Sequence, residues 1–442
     1  MNYFNDNPLL TRRQALRGGL YGAMGLALSP LLTGRAAAET AAPLTAKAKS
    51  VIQIWMWGGP CHLDTFDPKP EAGSAYCGPL DTPIATNVDG IRIGQLLPLL
   101  AKQADKYAII RSMTHNINAH ETASYRVQTG HNPDRQVYPN VGAVVSLFKG
   151  YDHGYEGLAP PYIVLTEGQG RFSEAGFLGQ RYKPFITGGD PNQQPFAVEG
   201  IIARGISDSR QEKRRQLLHR LDTLGRQMPH NQQFAALDAC EAEAYEMMFG
   251  DARKLFDLSQ EKDELRQKYG RNSFGQSCLM ARRLVEHGVP YITINYKGWD
   301  THKQHFEIMK RKLPELDQGM ATLLEDLSAR GLLDSTIVWW GGEFGRTPKV
   351  QWESPWNGGR GHFGKCFSMV VAGGGFKGGR ALGASNENGA EVADRPIDPA
   401  ELIAGLYTQL GIDPNGPLPN TQGLDVKVMP YAANHKPLKE IV

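Results

Sequence analysis

Short apolar runs rich in β-branched and aromatic residues recur along the chain, and each is continuous rather than alternating. They are SVIQIWMW (50–57), YAIIRSM (107–113), PYIVLTE (161–167), YITINY (291–296), STIVWWGG (335–342) and FSMVVAGG (367–374). Continuous apolarity is typical of strands that are buried on both faces of a sheet. These segments therefore predict the β-strands of a central sheet.

Segments with helical periodicity lie between several of these runs. They are IGQLLPLLAKQADK (93–106), SFGQSCLMARRLVEHG (273–288), HFEIMKRKLPELDQGMATLLEDLSARG (305–331) and DPAELIAGLYTQLG (398–411). Alternation of strand and helix predicts an α/β fold, a doubly wound and mostly parallel sheet with helices on both faces. In such folds the functional groups sit in loops at the carboxyl ends of strands.

Residues 206–270 differ from the rest, because they carry dense charge at helical spacing and no strand signal. This pattern predicts a helical insertion or cap within the α/β domain. The alternative is a basic arm that binds nucleic acid. Acidic residues interleave with the arginines, as on an ordinary solvated helix face, and this disfavours the arm.

The N-terminal segment has the features of an export signal. Thr11–Arg17 contains a twin arginine, 18–34 is a moderately apolar run rich in glycine, and Ala36–Ala38 supplies small residues for cleavage. This order predicts a Tat-type signal peptide over residues 1–38, followed by the α/β domain over 39–442. The alternative is an uncleaved anchor, which the cleavage site argues against. We therefore expect a periplasmic or secreted protein that meets the Tat translocase and has no stable membrane insertion after cleavage.

Composition and charge exclude several classes of protein. The chain has 442 residues and 41% hydrophobic side chains, enough for a substantial buried core and unlike a disordered protein. Lys and Arg number 48 against 46 Asp and Glu, and the net charge of +2 gives no basic footprint for nucleic acid. Glycine is abundant, at 50 residues, which indicates many tight turns.

The five cysteines are too few and too scattered for a disulfide scaffold, and none forms a CxxC metal knuckle. Cys61 and Cys77 are the closest pair. An oxidising compartment would permit a bridge between them, and buried free thiols are the equal alternative.

Polar residues suited to metal binding or acid–base chemistry follow four of the predicted strands. The segments are GGPCHLDTFDPKP (58–70), RSMTH (111–115) with AHETASYRVQTG (119–130), NYKGWDTHKQH (295–305), and GGEFGRTP (341–348) with GRGHF (359–363). Imidazole and carboxylate groups together suit a divalent metal, and a helix N-terminus suits an anion. For each segment the alternative is structural: turns, helix caps, and arginines that pin a loop.

These motifs together resemble a secreted family known as domain of unknown function 1501, and the resemblance covers nearly the whole chain after the signal. The family is similar to the alkaline phosphatase and sulfatase superfamily, which hydrolyses phosphate or sulfate esters at one or two divalent metals. At the superfamily's nucleophile position this chain has His120, and Thr122 is the nearby hydroxyl. Glu343 keeps a carboxylate where the superfamily has Asp-His-Gly.

The resemblance also implies roles for the other polar residues. A divalent metal ion (zinc, manganese or calcium) is expected on ligands drawn from His62, Asp64, Asp300, His302, Glu343 and His362. His120 and Thr122 are the expected catalytic groups, and Arg111 and Arg346 the expected contacts of the ester oxyanion. The predicted function is a metal-dependent hydrolase of a small-molecule or glycan ester. The alternative is a catalytically inactive relative that binds anionic glycan or a partner protein in the same cleft.

Overall fold

The structure is a computed structural model that describes residues 44–168, 174–194, 251–429 and 435–442 and the single positions 196, 198, 209, 210, 213, 216 and 217. All of these residues belong to one unit, Leu44–Val442. The predicted signal peptide, most of the predicted helical insertion and Cys240 lie outside the described residues.

The strands form one large sheet and three small two-stranded ones. Their bounds are β1 Ser50–Trp55, β2 Ile84–Ala85, β3 Arg92–Ile93, β4 Tyr107–Met113, β5 Tyr162–Leu165, β6 Phe185–Ile186, β7 Tyr291–Asn295, β8 Thr336–Gly341, β9 Gly345–Arg346, β10 His362–Phe363, β11 Phe367–Ala372, β12 Arg380–Leu382, β13 Ala384–Ser385 and β14 Val392–Asp394. Each of the six apolar runs contains one strand of the large sheet, as predicted.

The large sheet has the strand order β12-β4-β11-β8-β1-β7-β5-β6. β1 pairs in parallel with β7 and β8, and β11 is antiparallel to both β8 and β4. β4 therefore runs in the same direction as β1, as does every strand of this sheet except β11. The prediction of a mostly parallel sheet is confirmed.

The helices are α1 Ser74–Cys77, α2 Pro98–Ala101, α3 His120–Thr129, α4 Val141–Lys149, α5 Ala252–Leu255, α6 Asp263–Tyr269, α7 Ser273–Glu286, α8 His305–Ala329 and α9 Pro399–Gln409. Three of the four predicted helices correspond to α7, α8 and α9. The fourth, 93–106, was wrong over most of its length, because a strand ends at Ile93 and only Pro98–Ala101 is α-helical. Proline is favoured at the first helical position, and here it starts the helix late.

Helices cover both faces of the sheet, as predicted. Along β1, Ile52 and Ile54 face one core, which includes side chains of α7 and α8. Val51 and Trp55 face a second core, which includes side chains of α4 and α9. Successive side chains of a strand point to opposite faces, so a continuous apolar run fills both cores.

Among the described residues, none of the helices combines the length and the apolarity that crossing a bilayer requires. The four cysteines within this part of the chain, Cys61, Cys77, Cys278 and Cys366, are buried free thiols. The open question about Cys61 and Cys77 is thus answered in favour of free thiols.

Candidate metal centre

The polar segments meet at one edge of the sheet because of the strand directions. β1, β4, β7 and β8 run in parallel, so the loops that follow them leave the same edge. β11 is antiparallel, so the segment before it, which contains β10, also lies there. Residues far apart in sequence are thereby brought into one cluster.

Three of the predicted metal ligands lie at the centre of this cluster. The Oδ1 atom of Asp300 is 3.1 Å from Nε2 of His302 and 3.0 Å from Nε2 of His362, and the two Nε2 atoms are 2.9 Å apart. Ligand atoms about 2.0–2.2 Å from a zinc ion are themselves about 3–3.5 Å apart. The side chains are 41%, 39% and 19% exposed in that order, so the group is open to solvent.

His120 and Glu343 lie beside these three residues. Nδ1 of His120 is 2.6 Å from Oε1 of Glu343, which also accepts the N–H of Gly58 at 2.9 Å, and Glu343 is fully buried. Nε2 of His120 is 3.4 Å from Oδ2 of Asp300. The hydrogen bond to Glu343 raises the pKa of His120 above its usual value, although burial opposes this shift.

The hydrogen bonds of His120 and His362 indicate which ring nitrogens carry protons and which carry lone pairs. Nδ1 of His362 is 2.7 Å from the carbonyl oxygen of Asn118, which only accepts, so this nitrogen carries the proton. Nδ1 of His120 likewise faces a carboxylate. In the neutral rings both Nε2 atoms then present lone pairs toward Asp300, an arrangement that a cation between them would stabilise.

His120, Asp300 and His362 also have ligand atoms within 4.8 Å of one another. Together with His302, the cluster therefore offers four donor side chains. The residues therefore fit a divalent cation. Burial lowers the pKa of His302, which favours the neutral form that binds a metal.

Arg346 contacts this centre from the protein interior and does not face the cleft. It is fully buried, its Nε donates to the carbonyl of Gly59 and its Nη1 to that of Arg360, both at 3.2 Å. Its Nη2 donates to Oδ1 of Asp300 and to the carbonyl of Gly58. Burial alone would raise the pKa of Asp300, but Arg346 and the neighbouring histidines lower it to about 2.

This placement differs from the expected contact of Arg346 with an ester oxyanion, because every nitrogen of its guanidinium already donates to a protein oxygen. Arg111 is also bound to protein oxygens, through its Nε and Nη2 atoms. It donates to the carbonyls of Phe66 at 2.9 Å and Arg92 at 3.1 Å, and lies 3.5 Å from Asp67. Both arginines fix loops, the structural alternative considered above.

Thr122 lies in the first turn of α3 and is half-buried. Within the described residues, no hydrogen bond joins its hydroxyl to Asp300 or to the histidines. The structure therefore brings His120, but not Thr122, into the cluster.

A second group of potential ligands is fully buried and separate from the first. Nε2 of His305 is 2.5 Å from Oδ2 of Asp64, and Cys61 completes the group. Arg360 lies 3.5 Å from Oδ1 of Asp64. Burial raises the pKa of Cys61 to about 12, so its thiol stays protonated.

Charge balance decides what this second group does. With a neutral thiol and imidazole, Asp64 and Arg360 cancel, and the buried group is neutral. A divalent cation on a thiolate would instead leave a net positive charge away from water, which is costly. Asp64 thus anchors a hydrogen-bond network and does not join Asp300.

His62, the remaining predicted ligand, also lies outside the open cluster. It is buried, its Nε2 is 2.9 Å from the carbonyl oxygen of Gly389, and its ring stacks on Phe363 with centroids 6.4 Å apart. Burial lowers the pKa of His62 below its usual value. Its contacts indicate a packing role.

Sequence reasoning missed two residues that shape the site. Asn118 orients His362 through its backbone carbonyl and accepts the N–H of Gly364 at 2.7 Å through its side chain. A contact made by a backbone atom leaves no side-chain signal in the sequence. Trp57, interpreted above as part of a strand, lies beyond the end of β1 and stacks on His120 with centroids 5.7 Å apart. The glycine pair that follows Trp57 indicates a turn, and this was the signal in the sequence that the strand ends near Trp57.

Comparisons with known proteins identify a family for this chain. A family model described as "Protein of unknown function (DUF1501)" matches residues 48–442. Among curated proteins no sequence matches the chain.

Several solved structures are similar to the chain. One is a protein in the alkaline phosphatase superfamily from Vibrio parahaemolyticus, with 11% identity, coverage of 84% of this chain and 68% of that chain, and a TM-score of 0.38. Another is the PsFucS1 sulfatase from Pseudoalteromonas sp., with 12% identity, coverage of 87% and 73%, and a TM-score of 0.34. A third is the lipoteichoic acid synthase LtaP from Listeria monocytogenes, with 8% identity, coverage of 87% and 75%, and a TM-score of 0.37.

Proposed function

We propose, from the premise that the chain belongs to the DUF1501 family, that it is a metal-dependent hydrolase of phosphate or sulfate esters. The observation that supports this most directly is the open triangle of Asp300, His302 and His362, whose facing atoms are 2.9–3.1 Å apart. A divalent cation bound there would polarise the ester and lower the pKa of a coordinated water to about 7.

The donor set favours zinc among the three metals considered. Two imidazoles and one carboxylate are typical of zinc sites, and three protein ligands leave a position open for substrate, as catalytic zinc sites do. Calcium takes six to eight oxygen ligands, and manganese also prefers oxygen.

The surrounding residues keep the ligands in place. Arg346 fixes Oδ1 of Asp300, and the carbonyl of Asn118 fixes the ring of His362. Hydrogen bonds of this kind set the tautomer and orientation of metal ligands. His120 lies on the same side, 21% exposed and backed by Glu343, where it can meet a substrate.

The substrate we propose is a small-molecule or glycan ester, and the location is the periplasm or the exterior after export by the Tat translocase. The twin arginine and the small residues of Ala36–Ala38 support this location.

Metal analysis of the purified protein, followed by panels of phosphate and sulfate esters, tests the proposal. We expect one zinc ion per chain and hydrolysis of at least one ester. The double variant Asp300→Ala with His362→Ala should lose both, whereas His153→Ala, an exposed histidine elsewhere, should lose neither. Absence of stoichiometric metal, or an unchanged metal content in the double variant, would contradict the proposal.

A second candidate is a catalytically inactive relative that binds anionic glycan. The observation that favours it is the commitment of Arg346 to protein oxygens through all three guanidinium nitrogens, which leaves it unavailable to an ester oxyanion, while Nε and Nη2 of Arg111 are also bound to protein carbonyls. Metal-loaded protein that hydrolyses no ester but binds a sulfated polysaccharide would support this candidate over the hydrolase.

A further inference from the structure

His120 and Glu343 form a dyad with a defined polarity. Nδ1 of His120 is 2.6 Å from Oε1 of Glu343, and the N–H of Gly58 holds the same oxygen at 2.9 Å. Because the buried carboxylate accepts, Nδ1 carries the proton and the neutral ring keeps its lone pair on Nε2. That lone pair lies at the solvent-facing cluster. A base or nucleophile oriented by a third group has this arrangement.

Nε2 of His120 faces the oxygen of Asp300 that the triangle does not use, although a ring nitrogen of His120 also lies within 4.8 Å of ligand atoms of Asp300 and His362. It is 3.4 Å from Oδ2 of Asp300, whereas the triangle is built on Oδ1. The ring is packed against Trp57, with centroids 5.7 Å apart and planes 17° apart, and against Phe344, with centroids 5.1 Å apart. Packing on both sides fixes the direction of Nε2 and keeps the ring from turning away.

The hydroxyl groups near the cluster are worse placed for attack. Thr301 is 1% exposed, and its Oγ1 is 2.6 Å from Nδ1 of His305 in the buried network. Ser124 is 4% exposed within α3. Thr122 is half-buried, but within the described residues no hydrogen bond joins its hydroxyl to the cluster or to a base. His120 is therefore the best-oriented nucleophilic side chain beside the triangle in the described part of the site.

Two further features suit a transferred anionic group at His120. His120 is the first residue of α3, and the N-cap, Ala119, makes no side-chain hydrogen bond, so N–H groups of the first turn have no side-chain cap and suit anionic oxygens, although Glu121 adds a negative charge to this turn. Oε2 of Glu343 is buried and has no hydrogen-bond partner among the described residues, so this carboxylate can stabilise the positive charge that the ring gains when it takes the group.

We propose that His120 is the nucleophile of this hydrolase and carries the phosphoryl or sulfuryl group on Nε2 between two displacements. The inference rests on the proposed function. It adds that an imidazole nitrogen, and not a hydroxyl oxygen, is the nucleophile of that hydrolase.

In the first displacement the lone pair of Nε2 attacks the phosphorus or sulfur atom. The bond from that atom to the ester oxygen breaks, and the leaving oxygen takes a proton from solvent. In the second, water attacks the same atom and the bond to Nε2 breaks. Phosphate or sulfate leaves, a proton passes to solvent, and the lone pair returns to Nε2. Glu343 holds the Nδ1 proton throughout, and its charge stabilises the cationic ring.

The test uses metal-loaded full-length protein and an ester that it hydrolyses. Rapid quenching into base, followed by peptide mass analysis, should find one phosphoryl or sulfuryl group on His120.

The stereochemistry of the reaction provides a second test. With a chiral phosphate ester in ¹⁸O-labelled water, two displacements give retention at phosphorus. Direct attack by water gives inversion. Inversion without an adduct in an active protein would overturn the inference and leave the proposed function standing. Absence of all hydrolysis would contradict the proposed function itself.

Variants separate a nucleophile from a fourth metal ligand. His120→Ala should keep its metal content and lose the adduct, and loss of the metal would overturn the inference. Glu343→Gln keeps an acceptor for Nδ1 but removes the charge, so kcat should fall by about 10²- to 10⁴-fold with a smaller change in KM. His153→Ala should form the adduct as the unmodified chain does.

Discussion

Asp64 is a buried carboxylate whose neighbours replace the water that it lost on folding. Nε2 of His305 is 2.5 Å from one oxygen, and Arg360, also fully buried, is 3.5 Å from the other. Burial by itself would raise the pKa of Asp64, but Arg360 and His305 lower it to about 2. The carboxylate is therefore charged at neutral pH, and Arg360 depends on it for charge compensation.

Replacing Asp64 by alanine should destabilise the protein strongly. Asp64→Ala leaves Arg360 buried without a counter-charge, a change that costs about 3–5 kcal/mol. Urea unfolding at neutral pH measures this loss. The double variant Asp64→Ala with Arg360→Met removes both charges and should be less destabilised than the sum of the single variants. Strict additivity would show that the two charges do not interact.

Gly359 lies where another residue's backbone approaches too closely for a side chain. A Cβ atom at this position would be 1.8 Å from the carbonyl oxygen of His302, whereas one at Gly361 would meet nothing nearer than Thr347 at 3.3 Å. Gly359→Ala must therefore displace the loop that carries His302.

We expect Gly359→Ala to weaken metal binding by at least about tenfold and to cost about 1–3 kcal/mol of stability through overpacking. Isothermal titration with zinc and thermal unfolding measure the two effects. Gly361→Ala is the matched control and should alter both much less. Equal zinc affinity in the two variants would show that the backbone contact does not position His302.

Among the secondary structure elements, the buried strands were the most predictable from the sequence. β4, Tyr107–Met113, has the bounds predicted for it, because a strand buried on both faces is apolar at most of its positions, here at all but Arg111 and Ser112. The antiparallel direction of β11 was not predictable. A doubly buried strand has the same apolar pattern in either direction.

The short helix α2 was mispredicted because its start depends on a residue far away in sequence. Asp317 in α8 accepts the N–H groups of Leu99 at 2.8 Å and Leu100 at 2.7 Å. These are N–H groups that a helix's first turn leaves without intrahelical partners. A cap supplied from another helix leaves no local signal, so Pro98 is the one determinant of this start that the sequence around 93–106 displays.

Asp317 gives a pH dependence of stability with a definite sign. Burial raises the pKa of Asp317 to about 6, although the two N–H groups oppose the shift. An unfolded Asp has a pKa of about 3.9, so the charged form costs stability above pH 6 and the cost disappears below about pH 4. From pH 4 to 7 the protein should lose about 3 kcal/mol relative to Asp317→Asn, which never ionises.

Urea unfolding of both proteins across this pH range provides the measurement. Asp334→Asn, which removes an exposed carboxylate, serves as the control and should track the unmodified chain. A constant difference between the unmodified chain and Asp317→Asn would contradict the expected titration.

At the scale of the whole molecule, strand direction explains which part of the site the sequence could predict. Polar residues after parallel strands must meet at one edge, so the neighbourhood of Asp300, His302 and Glu343 was foreseeable, whereas the place of His362 depends on the antiparallel direction of β11. That His305, from the same segment, lies apart from this cluster was not foreseeable. Asp300 and His302 lie at the solvent-facing cluster, whereas Thr301 and His305 turn into the interior toward Asp64. Only tertiary packing decides which side of a loop faces water.

We expect the same convergence to make the stability of the whole molecule depend on the proposed zinc ion. Asp300, His302 and His362 come from loops that the sheet joins, so an ion that they share links these loops in the folded state only. An ion that binds only the folded state stabilises it by RT ln(1 + [L]/Kd), about 2.7 kcal/mol when zinc is at a hundred times its Kd.

The temperature of thermal unfolding should thus rise with added zinc and fall with a chelator. The double variant Asp300→Ala with His362→Ala should show neither shift, whereas His153→Ala should show both. An unfolding temperature of the unmodified chain that responds to neither zinc nor chelator would mean that the cluster holds no zinc.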